Sequence, residues 1–407
     1  MTRRLAPRVR RVAAALLTLV AALLAAPRAH AQAGRAAAAP VGEPGSELTI
    51  YLVTMGPGDA IWEKFGHNAL WVHDAATGSD VAYNWGMFDF AEKDFIPRFL
   101  KGSMRYWMAG YQAQPMIDAY ARTNRSVWVQ ELTLTPAQRR ELRDFVVWNS
   151  QPDNAYYNYN YFLDNCSTRV RDVIDRVLGG RLRARFDTAA TGTTFRWHMR
   201  RLTQEEQPLY TGMNLVLGEP GDRPISAWEE MFLPMKLRDR VRELSVPGPD
   251  GAPRPLVAAE REVFTAQRAP EPTAPANLIP GYLLLGAVLG GAMALLARAA
   301  AAGSRAAARG LATLGTLWSL LAGLVGLVMV LTWTATDHTF MYRNENLLQL
   351  SPLSLLLVAV LPRYVLRGRA ADAARYTSLA VGALALLGWA LQLLPGLDQV
   401  NGEIIAL

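Results

Sequence analysis

The sequence predicts an α+β domain outside the cytoplasm, followed by a membrane domain of four helices. Three observations predict it. Between residues 48 and 245, strand-like alternation and short amphipathic runs follow one another. The only cysteine among the 407 residues, Cys166, falls at the start of one of those amphipathic runs. From residue 278 onward the chain turns into apolar runs of spanning or near-spanning length.

The chain opens on a basic segment with Arg3, Arg4, Arg8, Arg10 and Arg11. Val12 to Ala26 is apolar, and Ala29-His30-Ala31 is a small-x-small cleavage site. This is the pattern of a secretory signal peptide over residues 1–31, with an apolar core too short for a span. Residues 32–47 are rich in Ala, Gly and Pro and read as a linker. The formal net charge is +7. The arginines concentrate in the leader and between the C-terminal apolar runs, which is not a nucleic-acid surface. No Cys/His group has metal-ligand spacing and no phosphate loop occurs, so neither a metal nor another cofactor is expected.

Leu48 to Thr54 (LTIYLVT) reads as the first strand, and Gly56-Pro57-Gly58-Asp59 as a turn. Ala60 to Phe65 reads as a short helix. A second strand follows with His67 at its head, then a turn over Asp74 to Asp80 and a returning strand over Val81 to Trp85. Aromatics are dense from Tyr83 to Tyr111, and Val127 to Leu134 alternates again. Thr135-Pro136 opens a helix whose apolar face runs to Trp148. After Cys166, the residues Val170, Val173, Ile174, Val177 and Leu178 keep helical spacing until Gly179-Gly180 stops them. Pro208 to Pro234 reads as turn-rich, Arg238 to Leu244 as a short helix, and residues 246–277 as a Pro-rich linker.

Cys166 is the chemical focus of residues 48–245. A helix start, capped by Asp164 or Asn165, offers free N–H groups and a dipole end that favour a thiolate. An exported protein with one cysteine cannot pair it internally, which favours a reactive thiol over a small buried apolar residue. A thiol nucleophile needs a base and a group that holds the base. His67 is the base of choice; His73 reads as solvated and His198 as part of a helix face. Asn84, on the strand paired with that of His67, is the first choice for the orienter. Tyr83 is the alternate, because register decides which of the two faces the imidazole. A His at a strand start beside a Cys at a helix start is papain-like, with the order in the chain reversed.

Residues 278–397 carry four apolar runs: Leu278 to Ala297, Leu311 to Trp333, about Leu347 to Leu361, and Tyr376 to Leu394. The third is short and interrupted by Pro352. Arg298, Arg305 and Arg309 lie between the first and second runs; Arg363, Arg367, Arg369 and Arg375 lie between the third and fourth. The positive-inside rule puts both groups in the cytoplasm, so residues 336–348 and the tail 398–407 face the side of the cysteine domain. The polar loop holds His338, Arg343, Asn344 and Asn346. Arg343 suits a lipid phosphate and the amides suit glycerol or peptide; the plain alternative is a solvated connector.

The blocks FGHNALWVHD, VAYNWGMFDF and YFLDNCSTRVRDVID together resemble the cysteine domain of the Lnb-type bacterial lipoprotein N-acyltransferases. The His-before-Cys order, and the pair Asn165-Cys166, also resemble the permuted papain-like group, NlpC-like or lecithin:retinol acyltransferase-like. The Lnb resemblance runs from about Leu48 to Trp228 and extends into the membrane part. It implies acyl transfer through a thioester on Cys166 with His67 as its partner. The implied donor is a phospholipid and the implied acceptor a diacylglyceryl apolipoprotein, at the periplasmic face of the inner membrane. On this reading Tyr83, Asn165, His338, Arg343, Asn344 and Asn346 contact substrate. The rival readings are a membrane-anchored cysteine peptidase or amidase acting on cell-wall peptides, and a non-enzymatic envelope protein with a merely buried Cys166.

Overall fold

The computed structural model describes residues 42–248, 250–397 and 399–407. The expected signal peptide and most of the linker before residue 48 lie outside the described residues. Seven strands form one sheet: β1 (Leu48–Met55), β2 (His67–Asp74), β3 (Ser79–Met87), β4 (Arg105–Gln112), β5 (Val127–Leu132), β6 (Tyr156–Asn158) and β7 (Val257–Phe264). Their order is β7-β5-β1-β2-β3-β4-β6, and every pairing is antiparallel. Both faces of β1 are covered, which is why LTIYLVTM is apolar nearly throughout. Leu48, Ile50 and Leu52 lie in the larger core beneath one face. Val53 and Met55 lie in a smaller core on the other. Each fully buried aliphatic side chain contributes about 1.5–3 kcal/mol.

Helices α1 (Phe95–Lys101), α2 (Ala113–Arg122) and α3 (Pro136–Asn149) punctuate the sheet. Helix α4 (Cys166–Val177) buries Val170, Val173, Ile174 and Val177 in the larger core, at the spacing seen in the sequence. Met116 and Ile117 of α2 fill the smaller core. Two regions depart from expectation. The segment expected to be a linker over 246–277 supplies β7, an edge strand paired with β5. Its prolines gave the linker signal, yet they flank VAAEREVF, whose charges suit an exposed sheet edge. The segment expected to be turn-rich from Pro208 holds helix α6 (Gln207–Val216), which follows α5 (Phe195–Thr203) and precedes α7 (Pro234–Glu243). Pro208 lies in its first turn, where proline is tolerated.

The C-terminal part holds α8 (Ile279–Ala301), α9 (Arg305–Ala335), α10 (Ser354–Arg367), α11 (Ala371–Leu391) and α12 (Gly402–Ala406). Among the described residues, three helices are long and apolar enough to cross a membrane: α8, α9 and α11. The expected third span is the correction. Leu347 to Leu353 is not α-helical, and α10 has only 14 residues, about 21 Å against a hydrocarbon core of about 30 Å. Small residues on α9 let α10 approach closely. A Cβ on Gly315, Gly323 or Gly326 would strike Leu361, Leu355 or the Leu350 carbonyl, so α10 runs antiparallel to α9.

The membrane helices are bonded to the sheet domain. The fully buried Arg196 of α5 donates to Asp222 (2.8 and 2.9 Å), to the Asn214 carbonyl and side-chain oxygens, and to the carbonyls of Leu217 and Gly218. Glu403 of α12 is buried and accepts from Arg200 and from the Tyr210 hydroxyl. Thr211 of α6 meets the Tyr282 hydroxyl of α8 at 2.5 Å.

Candidate active site

The candidate site is built at one end of β2 and β3, where the sheet meets the start of α4. Asn165 caps that helix: its Oδ1 accepts from Ser167 N (2.9 Å) and Thr168 N (3.0 Å), while Thr168 Oγ1 accepts from Asn165 N (2.7 Å). The Asn165 Nδ2 donates to the carbonyls of Tyr161 and Phe232, both at 3.0 Å. The whole amide thus holds the backbone around the cysteine. Asn165, expected as a substrate contact, thus has a structural role at the helix start.

Cys166 is partly buried in the first turn. Room for it comes from a bulge in β3 after Asn84, where Gly86 adopts φ +88°. A Cβ at Gly86 would be strained and would sit 3.6 Å from Cys166 Cβ and 3.9 Å from both the Tyr157 hydroxyl and the Tyr159 ring. Burial pushes the Cys166 thiol up to about 11. Backbone N–H groups of Asn68 and Ser167, the Arg125 charge and the cysteine's own N–H oppose that rise.

His67 begins β2, one residue from the N–H that reaches the sulfur. Its Nε2 lies 3.1 Å from Asn84 Oδ1. The Asn84 amide nitrogen donates to the Ala82 carbonyl (3.0 Å) and toward Met116 Sδ (3.3 Å), which fixes the amide with its oxygen toward the imidazole. Nε2 therefore carries the proton and Nδ1 the lone pair. Burial, reinforced by the Arg125 charge and opposed by the Asn84 bond, lowers His67 to about 4. The resting pair is a neutral imidazole and a neutral thiol. No direct hydrogen bond joins them among the described residues; the Asn68 N–H brings the two to one corner.

Register separates the two orienters weighed from sequence. Ala69 pairs with Asn84 and Leu70 with Tyr83, so the two side chains leave opposite faces of β3. Asn84 faces His67, whereas Tyr83 is buried in the larger core with Leu70 and Trp85. Tyr83 therefore does not face the imidazole and is not its orienter.

The outer loop also departs from expectation. His338 is buried, with Nε2 2.8 Å from the Phe99 carbonyl and its ring 6.2 Å from that of Tyr161. Asn344 Nδ2 donates to the carbonyls of Leu215 (2.7 Å) and Val216 (3.1 Å), and Asn346 Nδ2 to that of Leu215 (3.2 Å). Both asparagines therefore satisfy the C-terminal carbonyls of α6. Arg343 is exposed and pairs with Glu219 at 3.1 Å. The loop is not a solvated connector: Phe340 packs among Phe162, Phe195 and Phe232.

The sequence reading missed three groups. Arg125 is buried; its Nε donates to the Gly56 carbonyl (2.9 Å) and it pairs with Glu63 (3.2 Å), but Nη2 has no partner among the described residues. The Tyr157 hydroxyl is likewise buried without a partner. Tyr120 stacks on His67, centroids 6.1 Å apart. The alternation in YYNYNY, which puts Tyr157 and Tyr159 on one face, was the available signal for the tyrosine. Nothing local marked Arg125, which comes from a distant turn. Among the described residues no group of three His, Cys, Asp or Glu side chains is placed to hold a metal ion.

Two family models match the chain. Residues 44–203 match the Lnb N-terminal periplasmic domain, and residues 288–396 match the Lnb transmembrane domain. No curated protein and no solved structure matches. A periplasmic domain followed by a transmembrane domain fits a protein of the inner membrane.

Proposed function

Starting from an Lnb-type protein, a periplasmic domain followed by a transmembrane domain, we propose that this chain is a lipoprotein N-acyltransferase with Cys166 as nucleophile. The observation that carries the reading is the His67–Asn84 bond, which leaves Nδ1 free to act as a base one residue from the Asn68 N–H that reaches the thiol. As the sulfur attacks the ester carbonyl of a phospholipid, His67 Nδ1 takes the thiol proton. It returns that proton to the departing lysophospholipid alkoxide, leaving a thioester on Cys166. The α-amine of a diacylglyceryl-cysteine apolipoprotein then attacks the thioester. His67 takes the amine proton, the amide forms and the thiol is restored.

The N–H groups of Asn68 and Cys166 and the Tyr157 hydroxyl are the proposed donors to the oxyanion, each worth up to about 3 kcal/mol of barrier. Bonds from α6 to α8 and α12, and the packing of Phe340, tie the sheet domain to the C-terminal helices, which supports a lipid donor over a cell-wall peptide. The overall architecture is proposed to be a permuted papain-like arrangement, His67 preceding Cys166.

The test is N-acylation of a diacylglyceryl lipopeptide by the purified protein in phospholipid vesicles. Wild type should yield the N-acyl lipopeptide and Cys166→Ala should yield none while melting at nearly the same temperature. N-acylation by Cys166→Ala removes the cysteine mechanism.

A further inference from the structure

A continuous aromatic path leads from the thiol corner to the point where α9 ends. Tyr159 stacks on Tyr106 (4.4 Å between centroids), Tyr106 on Phe88 (5.1 Å), and Phe88 meets Phe95 (5.9 Å). Phe95 stacks on Phe99 (6.3 Å), whose ring meets His338 (6.3 Å). Beside this path the surface is apolar and open. Ile96, Phe99 and Leu100 of α1 are exposed at 58, 47 and 64 %, and Ile61, Trp62 and Phe90 each at 57 %. Trp62 and Phe90 touch, with centroids 5.4 Å apart, and Phe90 meets Phe95 of α1 at 5.0 Å, which joins the Trp62–Phe90 pair to α1. A cluster this large on a polar domain marks an interaction surface.

The position of α1 identifies the occupant. Asp337 N donates to the Lys101 carbonyl (2.7 Å), and His338 holds the Phe99 carbonyl. Gly102, at φ +84°, allows that approach, since a Cβ there would lie 2.9 Å from His338 N. The end of α1 is thus fastened two residues beyond α9, a helix long and apolar enough to cross the membrane. Ile96, Phe99 and Leu100 share one helical face, with the exposed Lys93 and Lys101 flanking it. Apolar side chains on one face, a tryptophan at the margin and lysines at the rim are what a leaflet interface selects.

We infer that the face made by α1, Ile61-Trp62 and Phe90 is inserted in the periplasmic leaflet of the membrane that the chain spans. The aromatic path then gives an acyl chain a route from that leaflet to Cys166; this last step rests on the acyl-transfer reading, whereas the insertion does not.

The single cysteine makes the test direct. In a Cys166→Ser background, Leu100→Cys and Ala76→Cys are each labelled with a nitroxide in vesicles of phosphatidylethanolamine and phosphatidylglycerol. Ala76 is exposed in the β2–β3 turn, about 20 Å along the strands from the His67 end. The inference expects relaxation at Leu100 to be dominated by dissolved oxygen, and at Ala76 by a water-soluble nickel chelate. Nickel access at Leu100 equal to that at Ala76 overturns it by showing a face open to water, and low access to both reagents at Leu100 overturns it by showing a face covered by a second copy. In the wild-type background, Leu100→Asp should lower acylation of Cys166 by vesicle phospholipid about ten-fold and leave its alkylation by soluble iodoacetamide unchanged. Undiminished acylation in that variant overturns the route. A wild-type protein that takes no acyl group at all overturns the function instead, and the depth measurement still decides the insertion.

Discussion

Two buried arginines show how differently two regions of this molecule use polar groups. Arg196, which holds the end of α6 that Asn344 and Asn346 grip from the outer loop, bonds through every nitrogen of its guanidinium. Arg125, whose charge acts on both His67 and Cys166, leaves Nη2 without a partner, and the Tyr157 hydroxyl near the thiol is equally unpaired. A saturated buried ion stabilises one arrangement of the chain around it. Unsaturated donors beside a nucleophile are destabilising in the free protein and become useful when negative charge develops there. The anchor therefore fixes where the domain sits, and on the proposed reading the corner at Cys166 supplies the chemistry.

The comparison breaks most readily at its two ends. His67→Ala should lower acyl transfer by about 100- to 10,000-fold, the range of a lost general base, with little change in melting temperature. Loss of fold instead of rate, seen in the thermal transition, would make His67 a packing residue. At the anchor, Arg196→Met should cost about 3–5 kcal/mol of stability by leaving Asp222 buried and unpaired, read from denaturant unfolding. An unchanged unfolding midpoint would show that saturation there is not structural.

A smaller effect sharpens the distinction. Tyr157→Phe removes a hydroxyl that bonds to nothing in the free protein, so stability should not fall. Acyl transfer should drop about ten-fold, in kcat rather than KM, if the hydroxyl meets the oxyanion. A drop in melting temperature with unchanged kcat would assign it to packing. The pH profile gives the smallest signal. As the proposed base His67 would act only when deprotonated, and burial with the Arg125 charge holds it near 4. Activity should therefore persist below the ordinary imidazole range and fall only as pH approaches 4. An acid limb centred near 6.5 in the rate profile would mean a solvated, unperturbed imidazole.

Much of the sheet domain was legible because its signals are local. The strand-like run LTIYLVT, the helical spacing after Cys166 and the Gly179-Gly180 stop each appear where the sequence put them. Asn84 was placed beside His67 by hairpin logic, and only register excluded Tyr83. What could not be read was the use of polar loops as internal ties. Asn344 and Asn346 look like head-group ligands in a list of residues, but they bond carbonyls of α6 more than a hundred positions away. The strand Val257–Phe264 was hidden between prolines, because an exposed edge strand lacks the apolar alternation that marks a half-buried one.

The central claim is that Cys166 carries the acyl group between donor and acceptor. The most direct measurement is the mass of the purified protein after incubation with phospholipid and no acceptor, followed by peptide mapping. The account predicts one acyl chain per protein, located on Cys166, released by neutral hydroxylamine and transferred when a diacylglyceryl lipopeptide is added. An unmodified Cys166 under conditions in which the protein still N-acylates that lipopeptide would contradict it.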